Sequence, residues 1–277
     1  MKKMAHQKWV ILLLMVFAAQ ISWAEDAKET NPTSQAVDKT EASDKFYLPS
    51  INEIYRQAKK YGVTGKWKQI VRIEEKAYAT MPLPQRAFEV GKSLSNIAFV
   101  VLDTDSNEAA PSKSVVLHAN DAIMSLNPPA DINAELQKLR DQLEAGTLQG
   151  KALRDEVNSL ISQTIPKILD KEPSLQDAGL LVLGAGYFRA MYLGTSTVAS
   201  YPKPTQAQLG MFRWGSIVDY FIDHFTQKAS PEFQKSTEVR SFVVALTKIQ
   251  PLINKAPEQI SKADVSQVAS TLASLFN

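Results

Sequence analysis

The chain predicts an all-α fold, a single multi-helix bundle of about nine or ten helices that follows a leader and a polar tether. Three observations carry this: apolar residues recur at helical spacing from residue 46 onward, helix-capping pairs punctuate the C-terminal third, and no internal repeat or glycine- and proline-rich linker divides the chain.

The first 24 residues have the layout of a cleavable export signal. Lys2, Lys3 and Lys8 form a positive start, Trp9 to Ala19 an apolar run, and Ser22-Trp23-Ala24 a small-residue cleavage site with the cut after Ala24. An apolar run of 11 residues is shorter than the roughly 20 needed to cross a bilayer, so a permanent anchor is disfavoured. Removing the leader leaves 253 residues and takes away three of the 31 basic residues and none of the 29 acids, a mature balance of 28 − 29 = −1. Such a balance argues against nucleic acid as a partner. The chain has no cysteine, so it carries no disulfide and no thiol nucleophile. Export without cysteine points to a bacterial periplasm and a soluble mature protein.

Residues 25–45 hold six acids, three lysines and, at Val37, one large apolar side chain. Too little surface can be buried there to offset chain entropy, and the segment reads as a disordered tether. The helical domain is expected over 46–277. Ile51, Ile54, Tyr55, Ala58 and Tyr61 share a face of its first helix, which Gly62 and Gly65 stop. A second helix is expected from about Lys66 to Thr80, with Trp67, Ile70, Val71, Ile73 and Ala77 inward and Pro82 and Pro84 beyond its end. The third runs to Leu102 on a stripe of Phe88, Leu94, Ile97, Ala98 and Val101, although Phe99 to Leu102 would also suit a buried strand. Lys113 to Leu126 forms a further segment that closes before Pro128-Pro129.

Ile132, Leu136, Leu139 and Leu143 mark the clearest helix, with Asp131 placed to cap its start and Gly146 its end. Leu153, Val157, Leu160, Ile161 and Ile165 continue the pattern after Gly150, and the two helices are expected to pair as an antiparallel hairpin. Ser174 with Asp177, Thr205 with Gln208, and Ser261 with Asp264 are capping pairs, and Ser230-Pro231 is a fourth start. They place helices near 175–198, 206–228, 231–254 and 262–276, the third bent or ended by Pro251 and Pro257.

Motifs for chemistry are weak. Asp103, Asp105 and Asn107 occupy the first, third and fifth ligand positions of a calcium loop, but Glu108 replaces the required glycine and Ser114 the bidentate glutamate. His118 and His224 stand in no zinc-binding spacing. Ser196 and Ser216 follow glycines without a nucleophile elbow around them. Asp219 and Asp223 lie one turn apart and are the candidates for paired-carboxylate hydrolysis, although Ile217, Val218, Phe221, Ile222 and Phe225 make the opposite face the buried one. No cofactor is implied.

Residues 179–200 are almost entirely apolar or small, with Arg189 as the sole charge. A charge at the middle costs about 2.5 to 3.5 kcal/mol in a bilayer, which favours a buried central helix over a membrane span. Gly186, Ala190 and Gly194 give this helix a smooth face for close approach by another helix or a ligand. A buried Arg189 needs partners, and Asp219 and Asp223 are the candidates. With Tyr192, and with Arg213, Tyr220 and His224 on the next helix, Arg189 defines a candidate pocket for an anionic or amphipathic small molecule. The leading expectation is a non-catalytic binding or scaffolding factor with a protein partner. The alternatives are a carrier of an apolar or anionic ligand in an interhelical cavity and a carboxylate hydrolase.

Overall fold

Two helices of the chain are buried nearly all round, and the others dress them. A computed structural model of the protein describes residues 51–64, 67–71, 76–101, 110–161, 168, 175–212 and 215–276. They belong to one compact unit, Ser50–Asn277. The leader, the 25–45 tether, the calcium-like loop and Arg213 lie outside the described residues. The described residues form no strand, and nine helices among them have nine residues or more. We label these α1 (Ile51–Lys60), α2 (Leu83–Val101), α3 (Ala110–Met124), α4 (Ala130–Glu144), α5 (Gly150–Ser159), α6 (Gln176–Ala199), α7 (Gly215–Asp223), α8 (Thr237–Ile253) and α9 (Lys262–Phe276).

In α2, 15 of 19 residues are buried, and in α6, 19 of 24. A helix apolar on every side must be enclosed by others. The α2 and α6 helices meet in the most extensive helix pairing of the structure, α9 and α1 cover α6, and α3 and α5 lie on α2. Their approach is set by glycine. A Cβ on Gly91 would stand 2.8 Å from the Gly186 nitrogen and would also strike the Val182 carbonyl, and Ser95 Oγ donates to the Gly186 carbonyl beside this crossing. The small face expected at Gly186 and Gly194 is thus used for packing, since Gly194 receives the Phe212 ring, whose nearest atom would be 2.5 Å from an added Cβ. No described helix is long and apolar enough to cross a membrane.

The aromatic centre lies where α2, α6, α7 and α8 converge. Phe242 is edge-on to Phe88, Phe188, Phe221 and Phe225, with ring centroids 5.5 to 6.2 Å apart. Such pairs add about 0.5 to 1.5 kcal/mol each beyond the area they bury.

Several local expectations hold. Ile54, Tyr55 and Ala58 are buried, and Gly62 ends α1 with φ +70°. Phe99 to Val101 is helical rather than extended. Gly146 takes φ +71° at the end of α4, and α9 spans the range its cap implies. Thr205 and Gln208 form the reciprocal capping box, as do Ser261 and Asp264.

Others need correction. No helix runs unbroken from 66 to 80: the described part of that stretch has one turn at Trp67–Ile70 and a 3-10 turn at Tyr78–Thr80, with Ala77 exposed. The chain leaves the helix there so that Lys76 and Tyr78 reach partners on α2 and α3. The start of α4 is capped from Pro129 without a side-chain bond, and Asp131 lies inside the first turn. The expected hairpin is not the main packing of either helix: α4 lies on α3, joined by Asn120 Nδ2 donating to the Leu136 carbonyl at 3.1 Å, and α5 lies on α2. The 206–228 helix is three pieces, Gln206–Gly210, α7 and a π turn at His224–Lys228. Gly215, the first described residue of α7, abuts the Asn254 side chain, which leaves no room for a Cβ. Ser236 divides the 231–254 helix by capping α8 through its Oγ, 3.1 Å from the Val239 N–H. Pro251 is accommodated in the last turn of α8, which ends two residues later, and Pro257 opens a 3-10 turn.

Candidate functional site

The residues with chemical potential fall into four places. The first is Arg189, midway along α6 and 1% exposed. Its Nε donates to Asn96 Oδ1 on α2 at 2.9 Å, and its guanidinium carbon lies 5.1 Å from the Tyr192 ring centre and 5.5 Å from that of Phe276. These two rings are themselves stacked at 6.0 Å. Among the described residues the cation is therefore stabilised by an amide and two ring faces, with no carboxylate in contact and no hydrogen-bond partner for Nη1. Burial pulls its pKa down to about 10, against the pull of Tyr192 and Glu89. The expected pairing with Asp219 and Asp223 does not occur. Asp219 accepts from Gln250 Nε2 at 2.6 Å and Asp223 pairs with Lys228, because Ile217, Val218 and Phe221 turn the opposite face of α7 inward.

The second place is the N-terminal end of α6. Asp177 accepts from His224 Nε2 at 3.0 Å through one oxygen and from the Ser230 N–H at 2.8 Å through the other. Burial raises the Asp177 carboxyl, but the bonds from His224 and Ser230 outweigh it and leave the pKa below the ordinary value. The Ser174–Asp177 cap was expected here; Ser174 lies outside the described residues, and this carboxylate serves as a clamp on the π turn. Tyr220 stacks on His224 at 6.3 Å. Of the five residues expected around one ligand, the structure joins Arg189 with Tyr192 and Tyr220 with His224. Twelve residues of α6, about 18 Å of helix rise, separate Arg189 from the clamp that holds His224.

The third place went unnoticed in the sequence, since its members come from three elements and share no spacing. Glu89, on the first half of α2, accepts from Lys76 Nζ at 2.7 Å and has Lys92 Nζ at 3.9 Å. Beside it Tyr78 OH lies 2.7 Å from His118 Nε2 on α3. Burial, then Glu89, raises the Tyr78 pKa, and burial holds His118 below its ordinary value. The tyrosine thus donates to a neutral imidazole at pH 7, a tie that docks the Tyr78–Thr80 turn against α2 and α3.

The fourth place is a surface groove between α8 and α9. Thr237, Arg240, Ser241, Val244, Ala245 and Lys248 form one wall and Thr271, Ser274 and Leu275 the other. Val244 is 53% exposed, the most accessible large apolar side chain of the described residues. Arg240 and Lys248 flank it one turn away on each side, and no acid among the described residues lines the groove. Among the described residues no three His, Asp or Glu side chains are grouped to hold a metal.

Fold and sites together define a cysteine-free, all-α bundle protein organised on two enclosed helices. No family model, curated protein or solved structure matches this chain.

Proposed function

We propose that the protein is a non-catalytic binding or scaffolding factor, exported to the periplasm by the 1–24 leader and carried on the 25–45 tether. The observation that bears most weight is how its reactive side chains are used: Arg189, His224, Asp177, Tyr78, His118 and Glu89 each join one helix or turn to another. A polar residue committed to a helix-to-helix bond is a poor catalyst, because moving it to meet substrate costs the bond and leaves its partner unsatisfied.

The small face of α6 weighs against the carrier reading, since Gly91 and Phe212 occupy it. The apolar cavity between α6 and α9, lined by Thr195, Phe212, Ile253, Val265 and others, is about 10 Å³, room for one water at most. The separate partners of Asp219 and Asp223 weigh against the hydrolase reading.

Native mass spectrometry of the processed chain, residues 25–277, tests this. The bare polypeptide mass is expected. A small molecule retained in gentle ionisation and lost on denaturation would replace this reading with a carrier.

A further inference from the structure

We infer that the groove between α8 and α9 seats an acidic amphipathic helix of a partner protein. This deepens the binding-factor reading and rests on it. The geometry comes from α8, where Arg240, Val244 and Lys248 recur every fourth residue and so form one ridge, about 12 Å from first to last. Ser241 and Ala245 lie beside that ridge, and Thr271 and Ser274 face them from α9. Small side chains on both walls let a third helix approach closely, and a ridge of i, i+4 side chains is what a neighbouring helix interlocks with.

The charge pattern selects the occupant. Arg240 and Lys248 form no ion pair among the described residues, and no carboxylate lines the groove. Some other surface cations find acids: Arg140 pairs with Asp121 and Glu144, Lys228 with Asp223, and Lys255 with Asp264. A helix bearing an apolar residue with an acid about one turn away on each side would set that residue against Val244 and Leu275 and pair both cations. A cation–apolar–cation ridge rejects a basic helix by like-charge repulsion, which gives the groove specificity as well as affinity.

A photo-crosslinking amino acid placed at Val244 in cells that make the full-length chain natively tests the inference, with Ala134, an exposed residue of α4, as the control position. The expected adduct joins Val244 to a peptide of net negative charge with apolar residues at three- and four-residue spacing. Its yield falls at least tenfold in the Arg240→Glu/Lys248→Glu variant, whose circular dichroism and melting match the parent, and it does not form at Ala134. Adducts to lipid or to a second copy of this chain overturn the inference, as do an unchanged yield on charge reversal, equal yield at Ala134, or no adduct. A partner captured at Ala134 and not at Val244 removes the groove and keeps the binding-factor reading, whereas a retained small molecule in the native mass spectrum removes that reading itself.

Discussion

Gly91 of α2 and Gly186 of α6 meet backbone to backbone: a Cβ on Gly186 would stand 3.2 Å from the Gly91 carbonyl oxygen, and one on Gly91 would stand 2.8 Å from the Gly186 nitrogen. Glycine inside a helix costs about 1 kcal/mol relative to alanine, and here it permits the closest contact of the two enclosed helices. Gly91→Ala must push α6 away or bend α2, because the atoms in its way are main chain. A loss of about 3 kcal/mol or more is expected in urea unfolding. Gly210→Ala is the matched control, since its nearest neighbour is an ordinary 3.5 Å from the added carbon, and it should lie between neutral and about 1 kcal/mol more stable. Equal effects at the two sites would sink the close-crossing account.

Arg189 and Asn96 should respond to substitution very unequally, the amide being the more costly to remove. The depression of the Arg189 pKa from 12.5 to about 10 corresponds to a cost of about 3 kcal/mol for holding its charge out of water. Asn96→Ala removes the sole side-chain acceptor on Nε and leaves the charge in place, so about 3 kcal/mol should be lost. Arg189→Met removes the charge along with its orphaned Nη1 and keeps an apolar stem beside Tyr192 and Phe276. Its stability should fall by less than about 1 kcal/mol or rise. Chemical denaturation of both variants decides the matter, and a larger loss in Arg189→Met would show that the cation stabilises the bundle.

Legibility in the sequence followed the range of the forces. The apolar stripe of α4, the capping boxes at Thr205 and Ser261 and the enclosure of α6 depend on residues within a few turns, and all are visible in one dimension. The helix breaks at Ala77, between Gly210 and Gly215, and at Ser236 were missed. At Ala77 a local helical pattern yields to contacts made farther along the chain, Lys76 with Glu89 and Tyr78 with His118, whereas at Ser236 a cap three residues long wins over the apolar period. The candidate site divided for the same reason. Helical spacing placed Tyr220 with His224 correctly, but nothing in the spacing could show that Asn96 and Phe276, not Asp219 and Asp223, surround Arg189.

Strong acid should loosen the last helix. Asp264 accepts from Lys255 Nζ at 2.7 Å and from the Ser261 N–H at 2.9 Å and its hydroxyl at 2.7 Å, and these bonds, that from Lys255 foremost, hold its pKa at about 2. The folded value lies below the unfolded one, so the stabilisation is present above about pH 4 and is lost as pH falls toward 2. Because Lys255 is partly solvated, Asp264→Asn should cost no more than about 2 kcal/mol at pH 7. The difference between variant and parent should shrink steeply between about pH 4 and 2 and vanish below the folded pKa. A deficit that persists undiminished there would mean the carboxylate acts by shape rather than by charge.

His118 should make the bundle weaken at mildly acidic pH, before the carboxylates titrate. Tyr78 OH lies 2.7 Å from its Nε2, and the ring is half-buried, faced by Lys76 and Lys92 as well as by Glu89 and Asp121. Burial depresses the folded pKa below 6.5, and the two lysines add to it against the two acids. The unfolded chain therefore takes up a proton more readily, and stability falls as pH drops through 6.5 toward the folded value. Protonation also turns Nε2 into a donor, which reverses the bond from Tyr78 and disfavours it where the cation is already poorly solvated. His118→Gln keeps an amide within reach of Tyr78 and removes the titration. Its melting temperature should change less between pH 7.5 and 5 than the parent's. Parallel curves for parent and variant across that interval would show that the tie between the Tyr78–Thr80 turn and α3 is indifferent to protonation.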